Sequence, residues 1–183
     1  MRKIVFHETT KTFHLYNDHI SYIMCVLENG HMGQLYFGKR IHDKEDFSYL
    51  VEKCSRPMTS YFFDGDRSFS LEHIRQEYPV YGTTDYRHPA IEILQENGSR
   101  ISEFSYDGYK ISDGKPLLKG LPATYTENDG EAQTLQIFLI DTFTGVKIEL
   151  IYTIFSDYDA IARSVHIINK GRSALHLLTA MSL

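Results

Sequence analysis

The sequence predicts an all-β protein, an antiparallel sandwich or barrel with only minor helix. Two observations carry the prediction. There are 13 Tyr and 11 Phe in 183 residues, with no Trp, and aromatic and β-branched side chains suit half-buried pleated surfaces. Short apolar runs also recur at close spacing with turn residues between them, the signature of antiparallel strands. Hydrophobic residues at 42% and charged residues at 23% mark a globular chain long enough to bury one large core.

Ile20–Leu27 is apolar at nearly every position. Strict alternation is absent, so both faces of this strand are expected to be covered. Asn29-Gly30 follows and favours a hairpin turn with positive φ, and Met32–Gly38 is the expected partner. Ala90–Leu94 runs into Asn97-Gly98, and Ile101–Tyr106 is expected to return beside it. Thr134–Ile140, Thr144-Gly145 and Val146–Tyr152 repeat the device, the last run alternating apolar and polar. Ala162–Ile168 leads through Asn169-Lys170-Gly171 to Ala174–Ala180. The spacing is not a sequence repeat, so neither a propeller nor a solenoid is expected. Residues 42–70 are polar, hold Pro57 and Gly65, and carry no sustained period; so long a connection is functional or disordered as a rule. Ser70-Leu71-Glu72-His73 has the cap chemistry to open a short helix. The final apolar run, Ser173 to Leu183, has no terminating signal. Exposed strand edges and faces need partners, so the length reads as a cut through a longer protein.

Lys and Arg number 19 against 24 Asp and Glu, a net charge of −5, which argues against a general nucleic-acid binder. No run approaches the roughly 20 apolar residues of a membrane-spanning helix. The opening Met1–Glu8 lacks the apolar stretch and small-residue cleavage site of a secretory signal. Cys25 and Cys54 are too few for a disulfide framework and read as two reduced thiols. A cytoplasmic location is the expectation.

Recognised catalytic motifs do not occur. The nine histidines form no HExxH pair and no zinc-type spacing, so no metal site is expected. There is no G-x-S-x-G elbow and no phosphate loop, and no cofactor is implied. A glycosidase needs two acids roughly 5 to 10 Å apart. Asp64, Asp66, Glu77 and Asp85 are candidates in the middle of the chain, but acids in such segments serve mostly as caps and turn residues. Gln76–Ala90 packs aromatics, prolines, Gly82 and a Glu/Asp/Arg set into fifteen residues. It reads first as a rigid turn with an internal Asp–Arg or Glu–Arg pair, and second as a docking or ligand-rim surface.

Several blocks together resemble the N-terminal domain of bacterial α-galactosidases of glycoside hydrolase family 36. They are Lys11–Leu15, Ser21–Met24, Asn29–Lys39, Asp66–Leu71, Gln76–Ala90, Asn97–Ser99, Lys119–Tyr125, Ala162–Ser164 and Asn169–Gly171. The resemblance implies a β-supersandwich of the galactose mutarotase-like kind, with residues 1–183 as one domain that precedes a (β/α)₈ barrel. The barrel carries the aspartate nucleophile and the aspartate acid/base of a retaining mechanism acting on melibiose- and raffinose-type α-galactosides. No residue of this chain matches either catalytic aspartate, so the chain is expected to be inactive alone. The resemblance also implies that this domain braces the barrel and lends residues to an active-site rim, often in a neighbouring subunit of a tetramer. Glu52 and Arg67 stand at those substrate-binding positions, with Glu52 where the family commonly has Asp. Residues 42–70 are the segment expected to leave the domain surface and to vary when the barrel is absent. Two other readings belong to the same architecture: a free-standing carbohydrate-binding sandwich, and a mutarotase-like enzyme using a His and carboxylate pair.

Overall fold

The structure is a computed structural model that describes residues 3–120 and 122–181. Met1, Arg2, Leu121, Ser182 and Leu183 lie outside it, and with them the tips of three runs singled out above, including the Leu of Gly-Leu-Pro. The described residues form two antiparallel four-stranded meanders and one two-stranded sheet. The first meander joins β1 (Lys3–His7), β2 (Thr12–Tyr16), β3 (Ile20–Val26) and β4 (Met32–Lys39). The second joins β6 (Ser105–Asp113), β7 (Ala132–Ile140), β8 (Val146–Phe155) and β9 (Ile161–Asn169). Between them in sequence lies β5 (Ile91–Leu94), which pairs with β10 (His176–Ala180). The only helix among the described residues is 3₁₀, at Ser48–Leu50 and Asp129–Glu131. The predicted antiparallel sandwich with minor helix is the observed architecture.

The main core lies between the meanders. Phe13, Leu15, Tyr22 and Met24 of the first face Leu135, Ile137, Leu150 and Tyr152 of the second, all within one buried cluster. Period-two geometry sends Ile23 and Cys25 to the opposite face of β3. There they meet Phe47, Phe69, Leu71 and Ile74 in a second cluster. The near-continuous apolar run of β3 therefore has its predicted cause, burial on both faces. Its outer cover is not a sheet but the two ends of the 42–74 segment.

The turns refine the sequence reading. Leu27 N donates to His31 O at 2.8 Å and Gly30 N to Leu27 O at 2.8 Å. Only Gly30 has positive φ there, at 84°, so the loop has three residues with a glycine bulge instead of two positive-φ residues. The β7–β8 hairpin forms as predicted. Asp141 caps its loop, accepting from the Phe143 and Thr144 amides at 2.9 and 3.2 Å.

Three expectations are corrected. The Asn97-Gly98 turn forms, with Gly98 N on Gln95 O at 2.9 Å, yet residues 101–104 do not return as a strand. The chain instead sends Phe104 into the main core and starts β6 at Ser105 beside β7. β5 finds its partner in β10, some eighty residues on in sequence by position. The run after Gly171 accordingly leaves β9 and does not fold back on it. Ser70–His73 makes a single turn and no helix: Ile74 N donates to Ser70 O at 3.2 Å and Glu72 N to Ser70 Oγ at 3.3 Å, after which Ile74 enters the outer cluster. The β1–β2 hairpin was not anticipated. Its signal was the alternation of Phe13 and Leu15 against His14, too short to stand out.

Candidate functional site

Glu52 and Arg67 both lie on the 42–74 segment that covers the outer face of β2 and β3. Both are exposed, and neither side chain makes a hydrogen bond or ion pair among the described residues. The segment is anchored at its two ends and projects between them. Its first anchor is polar and alternates as an extended chain does: Asp43 and Glu45 meet His7 and His14, and Phe47 is fully buried beside them. Its second anchor is apolar, Phe69, Leu71 and Ile74. Between them residues 52–58 are exposed throughout, Met58 fully so. Arg67 sits inside a turn in which Asp66 Oδ1 accepts from Ser68 N and Ser68 Oγ at 2.8 and 2.7 Å. A small cavity of about 190 Å³ beneath the segment is lined by Val51, Lys53 and Phe69 against Cys25 and Leu35. The structure thus puts the two predicted residues on one projecting layer, without bringing their side chains into a shared contact.

A second feature was not assembled from sequence. An open cleft of about 570 Å³ has Glu77, Arg163, Tyr22, Phe37, Arg75 and Arg87 in its wall. Glu77 is buried at its base. The Tyr22 hydroxyl donates to Glu77 Oε2 at 2.7 Å, the Tyr152 hydroxyl to Oε1 at 2.7 Å, and Arg163 Nη2 lies 2.7 Å from Oε1. The Arg163 guanidinium also sits 5.0 Å from the Tyr152 ring centroid. Burial pushes the Glu77 carboxyl upward, against the downward pull of Arg163 and the two tyrosines. Burial and the Glu77 charge push both phenols up as well. Glu77 thereby ties β3 of one meander to β8 and β9 of the other. Both carboxylate oxygens are engaged by groups of the fold, so this acid reads as a brace between sheets.

The neighbouring acid behaves alike. Asp85 takes a bidentate pair from Arg87, Nε on Oδ1 at 2.9 Å and Nη2 on Oδ2 at 2.8 Å, and a bond from Gln76 Nε2 at 2.6 Å. Burial raises its carboxyl, but these bonds outweigh it and hold it below the ordinary range. Gly82 and Asp85 exchange amide bonds at 2.8 and 3.0 Å across Thr83-Thr84. The Gln76–Ala90 stretch is therefore the rigid turn with an internal Asp–Arg pair that its composition predicted. Of the four acids considered for catalysis, Asp66 caps a turn, Glu77 and Asp85 are braces, and Asp64 is exposed. Among the described residues no group of three or more His, Cys, Asp or Glu is placed to hold a metal ion. Cys25 is a buried free thiol, pushed up to about 12 by burial, and Cys54 is an exposed one.

Fold and site define an antiparallel sandwich domain whose interior acids and bases join its layers and whose outer segment projects polar side chains. The sequence model of the glycosyl hydrolase family 36 N-terminal domain matches residues 30–183, and the chain belongs to that family. It is 38% identical to alpha-galactosidase AgaA of Geobacillus stearothermophilus over 180 residues, covering 98% of this chain and 25% of the relative. It is 36% identical to alpha-galactosidase Mel36A of Lactobacillus acidophilus, covering 95% of this chain and 24% of the relative. The crystal structure of the alpha-galactosidase from Lactobacillus brevis superposes with a TM-score of 0.93 at 38% identity, over 97% of this chain and 24% of that one. A Geobacillus stearothermophilus AgaA A355E D548N structure in complex with raffinose matches with a TM-score of 0.88 at 40% identity, over 94% of this chain and 24% of that one. The chain thus spans about a quarter of the length of the relatives it matches.

Proposed function

We propose that this chain is the non-catalytic N-terminal part of an α-galactosidase that removes terminal α-linked galactose from melibiose- and raffinose-type oligosaccharides. The observation that carries the reading is its near-complete coverage by one quarter of α-galactosidases at 36–38% identity. The remaining three quarters would hold a (β/α)₈ barrel with the two catalytic aspartates of a retaining mechanism. The acids of this chain support that division of labour, since the buried Glu77 and Asp85 are engaged by structural partners on both oxygens. In the proposal residues 1–183 brace the barrel, the enzyme is a cytoplasmic homotetramer, and residues 42–70 reach the active-site rim of a neighbouring subunit. Glu52 would bond sugar hydroxyls as an acceptor, and Arg67 would supply donors beside it; their exposure and lack of partners among the described residues support this. The segment would be variable until that neighbour covers it.

The test joins this chain to its downstream coding sequence. The longer protein is expected to hydrolyse p-nitrophenyl α-galactoside, and the 183-residue chain to be inert. Hydrolysis by the chain alone overturns the proposal. In the longer enzyme Glu52→Gln and Arg67→Ala should each raise KM for raffinose about tenfold with the melting temperature unchanged, as loss of one charge-assisted hydrogen bond does. Clear calorimetric binding of melibiose by the isolated chain would favour a free-standing carbohydrate-binding module instead.

A further inference from the structure

The chain has a net charge of −5, yet the cleft over Glu77 is cationic. Arg75, Arg87 and Arg163 stand in its lining against a single acid, Glu77 itself. Arg87 is compensated by Asp85, bonding both of its carboxylate oxygens. Arg163 is engaged on one side only. Its Nη2 lies 2.7 Å from Glu77 Oε1 as an ion pair, but its N–H bonds are not directed at that oxygen, and this buried nitrogen has no hydrogen-bond acceptor among the described residues. The two Glu77 oxygens take the hydroxyl protons of Tyr22 and Tyr152. Arg75 is exposed. Its Nη2 donates to the Leu35 carbonyl at 3.2 Å, and no carboxylate pairs with it among the described residues. Buried donors are as a rule satisfied, and a guanidinium offers five donors in a planar fork that fits a carboxylate at two points. The cleft is therefore set to receive an anion.

The rest of the wall points to what carries that anion. Phe37 and Met181 are 57% and 38% exposed, and they line the same cleft beside Pro79 and Pro89. Phe37 is held edge-on against Tyr22, ring centroids 5.5 Å apart. Arginine, aromatic and methionine side chains are enriched at the centres of protein–protein interfaces, whereas a free small anion gains nothing from an apolar wall. Met181 also donates its amide to Ala90 O at 2.8 Å, which ties the end of β10 to the cleft. The chain covers 25% and 24% of two α-galactosidase relatives, so in the longer enzyme proposed above the polypeptide beyond residue 183 sets out beside this cleft. We propose that the cleft is the seat of an acidic side chain carried by that downstream polypeptide, with its carboxylate bonded by Arg75 and Arg163 and its apolar neighbours laid on Phe37 and Met181. Arg163 belongs to β9 and Arg75 follows the turn that buries Ile74. One carboxylate would thus join the second meander to the outer cover of the first, on top of the Glu77 brace. The proposal rests on the reading that more chain follows residue 183, and not on that chain being a galactosidase.

Acetate is the probe, since it is an aspartate side chain without its backbone. With acetate exchanged for chloride at constant pH and ionic strength, the side-chain Nε–Hε resonances of Arg75 and Arg163 in the 183-residue chain should shift and saturate in the millimolar range. Arg75→Gln, which keeps the backbone bond from Gln34 N to Arg75 O, should weaken that binding about tenfold, as loss of one charge-assisted hydrogen bond does. In the longer protein the carboxylate of the chain itself should exclude acetate. There Arg75→Gln should lower the melting temperature by about 2–4 °C, while the 183-residue chain melts as before. Three results overturn the proposal: no saturable shift in the 183-residue chain, a shift that Arg75→Gln leaves intact, or acetate binding equally well to the longer protein, which would make this a site for a free anion. Equal destabilisation of both proteins by Arg75→Gln also overturns it, because Arg75 then acts within the domain alone. Hydrolysis of p-nitrophenyl α-galactoside is read separately. A longer protein that excludes acetate but is inactive retires the galactosidase reading and keeps the seat; an active one that still binds acetate does the reverse.

Discussion

Glu77 is the residue on which the interior polar structure converges. Arg163 supplies its only cation among the described residues, at 2.7 Å and largely out of solvent. Arg163→Met should cost about 3–5 kcal/mol in urea unfolding, because it leaves a carboxyl buried beside two phenols without a counter-charge. Tyr152→Phe, which removes one 2.7 Å bond to the same oxygen, should cost about 1.5–3 kcal/mol. Thr83 and Thr84 show the opposite sign. Both are β-branched at positive φ, 48° and 74°, and both hydroxyls are buried without a partner among the described residues. Replacing the pair with Asn-Gly, which suits a two-residue turn with both φ positive, should raise stability by about 1–2 kcal/mol. An unchanged or lower unfolding midpoint would show that the neighbouring Asp85–Arg87 pair depends on those threonines.

Among elements, the 42–74 segment combines firm ends with an exposed middle. Phe47 and Phe69 are both completely buried, and truncating either to Ala should cost about 3–5 kcal/mol. Exposed loop middles are where proteases cut first. Trypsin should therefore nick after Lys53, half-exposed and paired with Glu28, before it cuts within either meander. Arg56 should be spared because Pro57 follows it. Primary cleavage within β7 or β8 would mean that the sandwich opens more easily than the loop. This element also shows why composition alone was a partial guide. Its polar, aperiodic character was legible, and so was its long reach. The rooting of its ends was not, because Asp43, Glu45 and Phe47 acquire their meaning only from His7 and His14 on a hairpin some thirty residues earlier.

Across the whole molecule, buried histidines set the acid side of the stability profile. Burial lowers the basicity of His14 and His31 below the ordinary value of 6.5. Below that pH the unfolded chain binds more protons than the folded one, so stability falls with acidification until both are protonated in the fold. The urea midpoint should drop between about pH 7 and about pH 5. His31→Gln should lessen the slope, since it removes one of the two groups. Asp43, held below the usual carboxylate range by His14 and His7 despite its burial, adds a further loss at lower pH as it takes up its proton.

The sequence by itself determined the all-β class, the strand cores, the turn sites at Gly30, Gly98 and Gly145, and the family, because each is written in local period, turn chemistry or contiguous motif. Gln76–Ala90 was legible as a rigid turn for the same reason: its Asp85–Arg87 pair is two residues apart. Tertiary structure alone decided which strands pair, joining β5 to β10 and sending β6 to β7. It alone joined Glu77 to Arg163, eighty-six positions further along the chain, and closed Asp43 onto two histidines. Such contacts have no sequence period, since what selects them is the burial of apolar faces and the cost of leaving a buried charge or donor without a partner.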